Sequence, residues 1–144
     1  MRRCDAALLL VALAGCGGPW GPLHGGRLAG IAVATPVADW SFAADQRLMQ
    51  IEVRPSDPYS VNVNFLLVDG RLYVDIGQPS DWNRWRQLIR ADPHVRVRFG
   101  DRIYAADAVP VTDPAELAAV AAAYHSRHGT PPPAAATFVR LDPA

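Results

Sequence analysis

The sequence predicts a mainly β domain with two helices (α+β), its antiparallel sheet of about six strands closed into a small barrel. Three observations carry this. Apolar and polar residues alternate with period two through most of residues 47–111. Asp69-Gly70 and Gly100-Asp101 each join two alternating stretches, the composition of tight hairpins. Helical periodicity occurs in only two places. That is too few to alternate with strands as a parallel sheet requires, and closure is the natural way for an antiparallel sheet to lose its edges.

The elements follow in order. Arg47–Arg54 sets Leu48, Gln50 and Glu52 against Met49, Ile51 and Val53, giving a half-buried strand with one apolar face. Residues 55–58 (PSDP) form a turn. Tyr59–Val68 alternates again, with Val61, Val63, Phe65 and Leu67 inward and Asn62 and Asn64 on the other side. Across Asp69-Gly70 its partner is Arg71–Ile76, with Leu72, Val74 and Ile76 inward and Tyr73 and Asp75 toward solvent. These three strands are expected to make an antiparallel meander. Ser80 or Asp81 can cap a short helix on which Trp82, Trp85, Leu88 and Ile89 share a face. Asp92-Pro93 ends it, because the residue before proline avoids the helical region.

His94–Phe99 alternates Val95, Val97 and Phe99 with Arg96 and Arg98, which read as surface residues. Arg102–Val111 returns, with Pro110 marking a strand end or an edge. Thr112 or Asp113 caps a second helix with Pro114 at its first position, and Gly129 closes it. Residues 130–133 (TPPP) are a stiff connector, and residues 136–141 a last strand. Ile103 and Phe138 join the expected barrel core.

Composition bounds the function classes. The 144 residues are 50% hydrophobic and 19% charged with a net charge of zero, which argues against nucleic acid as the main partner. All basic residues other than histidine are arginine, so arginine alone is discounted as evidence for phosphate binding. Residues 6–14 are apolar throughout, too short to span a bilayer, which needs roughly 20 such residues, but long enough for a secretory h-region of about 7–15. Arg2 and Arg3 precede the run, and it ends Leu13-Ala14-Gly15-Cys16. This resembles the lipobox of bacterial lipoproteins. The resemblance implies a signal peptide over residues 1–15, lipidation at Cys16, and a lipid-anchored, extracytoplasmic place in the bacterial cell envelope. With Cys4 removed and Cys16 acylated, no thiol is left for a disulfide. Residues 16–35 are rich in Gly and Pro and read as a tether, with Trp20 docking either on the domain or on the membrane surface. The domain then occupies residues 36–144, joined through Trp40 and Phe42.

Two stretches resemble the flavin-binding split barrels, the pyridoxamine-phosphate-oxidase-like and deazaflavin-dependent nitroreductase-like superfamily. They are FLLVDGRLYVDIG (residues 65–77) and IRADPHVRV (residues 89–97). The superfamily has a strand, "DG", a strand like "lyv", and a short helix ending L-x-A-N-P-x-V-x-V. Ile89 stands at the leucine, Asp92 at the asparagine, and Trp85 where the deazaflavin branch often has tryptophan. The resemblance covers roughly residues 46–111. It implies a split β-barrel, a homodimer, and FMN or a deazaflavin as the cofactor to test. The chain departs from the pattern at two places. The flavin branch commonly has a phosphate-binding lysine or arginine at the Trp85 position, which only the neighbours Arg84 and Arg86 could replace. The deazaflavin branch has a glycine-containing phosphate loop where this chain reads RPSDPYS. No cofactor is therefore favoured, and the leading expectation is a non-catalytic domain that binds a small ligand or a protein partner. A flavin- or deazaflavin-dependent oxidoreductase is the alternative.

The candidate ligand-binding residues are Arg54, Ser60, Asn62, Asn64, Trp82, Arg84, Trp85 and Arg86. Asparagine is disfavoured in strands, so Asn62 and Asn64 on one face ask for a polar ligand or for a solvated surface. Trp82 and Trp85 could stack a planar ligand or plug one end of the barrel. His125 and His128 stand three apart at a helix end, but no third ligand lies nearby in sequence, so no metal is expected. No Ser-His-Asp order or pair of carboxylates stands out, and no catalytic residue is assigned. A flavin enzyme would not require one, since its cofactor carries the chemistry.

Overall fold

A computed structural model describes residues 17–78 and 80–144. The expected signal peptide and Cys16 lie outside the described residues. Eight strands form one curled sheet: β1 (Ile31–Ala32), β2 (Leu48–Val53), β3 (Tyr59–Asn64), β4 (Leu66–Val68), β5 (Arg71–Asp75), β6 (His94–Phe99), β7 (Arg102–Pro110) and β8 (Phe138–Pro143). Their order is β3-β2-β6-β7-β8-β5-β4. β1 runs parallel to the start of β7, along the stretch that β8 does not reach. All other pairings are antiparallel. This is the expected split barrel, with more strands than the sequence counted.

One extra strand, β1, comes from the expected tether, and the other has a physical cause at Phe65. The predicted strand Tyr59–Val68 breaks there, and its halves occupy opposite ends of the sheet order. Among the named strands β3 pairs with β2 and β4 with β5, so the expected continuous meander is split into two pairs. Phe65 turns its ring into the core, edge-to-face with Phe99 at 5.3 Å between centroids. The turn at Asp69-Gly70 has positive φ at both residues, 50° and 74°, as a two-residue hairpin needs.

The inner face carries Met49, Ile51, Val53, Val63, Val95, Val97 and Phe99, closed at one end by Trp85 and Ile89 of α1 (Arg84–Ala91). Val61 and Leu67 pack against this core partly buried. Three expectations change. Ile103 is buried but faces outward under residue 30, while its neighbours Tyr104 and Ala106 face inward. Phe138 and Tyr73 also lie outside the barrel core. Helix α2 (Pro114–His128) covers them, placing Val120 with Leu66, Tyr73, Val111 and Phe138 in a second cluster. Tyr73 is thus buried, not solvated, and its hydroxyl donates to Glu116 at 2.7 Å. Asp113 caps α2 by accepting from the Glu116 N–H at 2.8 Å, and Gly129 ends the helix at φ 74°.

The Gly/Pro-rich stretch is not free chain. Residues 17–33 lie as a strap across the outer face of β2, β3 and β6. Gly25 and Ser60 exchange backbone hydrogen bonds at 2.8 and 2.9 Å. Leu28 is buried, and its N–H donates to Glu52 Oε2 at 2.6 Å. Arg98 Nη1 donates to the Ala29 carbonyl at 2.9 Å. Close approach, rather than flexibility, explains glycine here. A Cβ at Gly25 would sit 2.4 Å from the Gly18 backbone, and one at Gly30 would sit 2.5 Å from the Asp101 carbonyl oxygen. Arg96 is likewise not a free surface residue, because it pairs with the wholly buried Glu52. Among the described residues no helix is long and apolar enough to cross a membrane.

Candidate functional site

A cavity of about 310 Å³ opens where β3, β5, the start of α1 and the end of α2 converge. β3 and β5 stand near opposite ends of the sheet order, so this is the place where the split barrel is open. Four of the sequence candidates line it: Asn62, Asn64, Trp85 and Arg86. Asp75, Asn83, Tyr124 and His128 complete much of its polar wall and were not singled out as a group. Only His128 carried a prior signal, as half of a histidine pair. Of that pair His128 lines the cavity, its ring tilted 42° to that of Tyr124 with centroids 4.3 Å apart. Among the described residues no group of three or more His, Cys, Asp or Glu could hold a metal ion.

Arg86 is the arginine that lines the cavity. Its guanidinium carbon lies 5.8 Å from the Trp85 ring centroid, within cation–π range. Nη1 donates to the Gln78 carbonyl at 3.3 Å, whereas Nε is buried and has no partner among the described residues. An arginine N–H left so is costly unless something accepts from it. The neighbouring charges are already engaged. Asp75 Oδ1 accepts from the Gly77 and Thr137 N–H groups at 2.7 and 3.0 Å. Arg90 Nη2 donates to the Ile76 and Gly77 carbonyls at 2.5 and 2.6 Å, tying α1 to the end of β5. Arg90 therefore fixes the wall that Arg86 stands on.

The other candidates are placed apart from the cavity. Arg54 closes the β2–β3 turn with φ 53°, donating from Nε to the Asp57 carbonyl and pairing with its carboxylate, both at 2.8 Å. Ser60 is buried beneath the strap, its hydroxyl without a partner among the described residues. Asn62 Nδ2 donates to the Gly21 carbonyl at 2.9 Å, so one of the two strand asparagines serves the strap as well as the cavity wall. Arg84 is exposed and begins α1. Trp82 does not share the helix face with Trp85. It sits in a 3-10 turn (Asp81–Asn83) ahead of α1, 93% exposed, because the helix starts only at Arg84.

No family model and no curated protein matches the chain. Solved structures do. A pyridoxamine 5′-phosphate oxidase candidate from Listeria innocua superposes with a TM-score of 0.56 at 16% identity, over 72% of this chain and 88% of its own. The heme storage protein HutZ from Vibrio cholerae gives 0.56 at 17% identity, over 72% and 86%. A conserved hypothetical protein from Mycobacterium tuberculosis gives 0.53 at 17%, over 72% and 76%. At such identities the likeness is one of fold, and the fold it establishes is the split barrel.

Proposed function

We propose that this chain is an extracytoplasmic lipoprotein of the bacterial envelope, anchored through Cys16, whose barrel binds a small planar ligand bearing an anionic group. The observation that carries the ligand class is Arg86. A buried guanidinium N–H without a partner among the described residues, beside a tryptophan ring and a polar wall, matches a flat ring joined to a phosphate or carboxylate. The cavity's volume of about 310 Å³ sits at the low end of ligand pockets, roughly 300–1,000 Å³, which favours a ligand smaller than a dinucleotide. The anchor rests on the charge, length and lipobox at the start of the sequence. A protein partner is the weaker reading, since the polar outer face of β2 and β3 is covered by the chain's own strap.

Titrating pyridoxamine 5′-phosphate, FMN and a deazaflavin cofactor into the purified protein, following tryptophan fluorescence, tests this. Saturable quenching by a phosphate-bearing planar ligand is expected. Arg86→Ala weakens it roughly 10–100-fold, the worth of a charge-assisted hydrogen bond, and Arg54→Ala leaves it unchanged. FMN is expected to be lost on purification. One second reading has its own support: the fold shared with a pyridoxamine 5′-phosphate oxidase candidate favours a flavin-dependent oxidoreductase. Stoichiometric FMN binding below micromolar concentration would establish that reading instead. The family resemblance also implies a homodimer, which sedimentation of the loaded and empty protein tests.

A further inference from the structure

We propose that the turn Trp20–Leu23 is a membrane dock that orients the barrel on the bilayer holding its lipid; this rests on the anchor at Cys16 proposed above. The turn is built, not frayed. The Trp20 N–H donates to the Leu23 carbonyl at 3.1 Å and the Leu23 N–H returns the bond at 3.0 Å. Gly21 takes φ 55° to allow it, and Asn62 fastens its carbonyl to β3. On this fixed support Trp20 is 81% exposed and Leu23 is 61% exposed.

Exposed apolar residues are ordinary one at a time, and Ile31 and Phe42 need no partner for that reason. Trp20 and Leu23 differ in being held together within a short length of chain from the anchor. Three residues lie between Cys16 and Trp20, so an extended chain of four Cα–Cα steps places the Trp20 Cα no more than roughly 14 Å from the lipid-bearing residue. The polar interfacial layer on each side of the hydrocarbon is about 5–8 Å thick. Trp20 is therefore confined to the neighbourhood of that layer, which is where the amphipathic indole is most favourable. Leu23 beside it supplies the apolar contact that reaches the top of the acyl chains. A lipid alone fixes distance but leaves the domain free to tumble. The turn, tied through Asn62 to the wall of the cavity, fixes which face meets the membrane.

The test uses the acylated full-length product, extracted and reconstituted in phosphatidylcholine–phosphatidylglycerol vesicles brominated near the top of the acyl chains. Trp40 and Trp85 are buried, so quenching reports Trp20 or Trp82. Quenching that survives in Trp82→Phe, is lost in Trp20→Phe and falls in Leu23→Ser supports the dock. An acylated protein whose quenching is unchanged by Trp20→Phe overturns the dock and leaves the anchor standing. A product whose mass shows no acyl group on Cys16 overturns both.

Discussion

Arg96 Nη1 on β6 donates to both carboxylate oxygens of Glu52 on β2, at 3.0 and 3.2 Å, and Glu52 has no exposed surface. The pair joins two neighbouring strands and also receives the strap, through the Leu28 N–H. Removing one partner of a buried pair strands the other charge away from water, at a cost of about 3–5 kcal/mol. Arg96→Ala is expected to lose that much in urea unfolding. Arg98→Ala, on the same face two residues on, gives up bonds to the Gly100 and Ala29 carbonyls and is expected to lose only about 0.5–1.5 kcal/mol each. Equal losses would mean that Glu52 reaches water.

Phe65 marks the break that opens the barrel. It is buried, edge-to-face with Phe99, with the Arg127 guanidinium 5.3 Å from its ring centroid. Phe65→Ala is expected to cost about 3–5 kcal/mol, as truncated core aromatics do. Leu67→Ala, at a partly buried position on the next strand, should cost less. The same unfolding experiment ranks the two.

The alternation of β2, β3 and β6 was legible because period two needs only local sequence, and it placed Met49, Ile51, Val63 and Val97 correctly, whereas on β7 Ile103 was expected inward and Tyr104 and Ala106 take that face. What covers an outward face is not local. Tyr73 was read as facing water, Glu52 as lying on the polar face of its strand and Ser60 as a candidate ligand contact, yet chain from residues 25–28 or from α2 lies over them. The strap itself hid behind its composition, since glycine serves flexibility and close backbone approach equally well. The site was half legible. Trp85 and Arg86 came from the family-like helix, and Asn62 and Asn64 from their oddity in a strand. Asp75, Asn83 and Tyr124 carried no signal that separated them from ordinary surface residues, and only the closure of the barrel brings them together.

Two titrating groups give stability a pH dependence of opposite sign. The Tyr73 hydroxyl, then Arg140, hold the Glu116 carboxyl below its ordinary 4.5. A carboxyl lowered by folding stabilises above its unfolded value and loses that contribution as pH falls through the folded one. The Asp107 carboxylate hydrogen-bonded to His94 at 2.6 Å raises that imidazole above its ordinary 6.5. Its contribution is complete below 6.5 and fades as pH climbs through the raised value. In thermal melts across pH, Glu116→Gln should flatten the acid side only, and His94→Gln the side above neutrality only. A variant that altered both limbs would show the groups to be coupled.

The strap offers the sharpest steric test, because two adjacent glycines differ in what surrounds them. A Cβ on Gly25 would meet the Gly18 carbonyl carbon at 2.4 Å and Pro19 N at 2.6 Å, both main-chain atoms that cannot rotate aside. A Cβ on Gly26 meets nothing nearer than the Gly17 oxygen at 4.0 Å. Gly25→Ala must therefore lift the strap from β3, breaking the Gly25–Ser60 pair and drawing the Leu28 N–H off Glu52. Overpacking of this kind costs about 1–3 kcal/mol. The local readout is more specific than stability. Amide exchange at Ser60 and Leu28 should accelerate in Gly25→Ala, and trypsin should cut after Arg27, while Gly26→Ala keeps the protection of the parent. Identical exchange in the two variants would mean that the strap does not hold β3 in solution. The exposed turn at Trp20 would then lack the fixed support on which its role at the membrane depends.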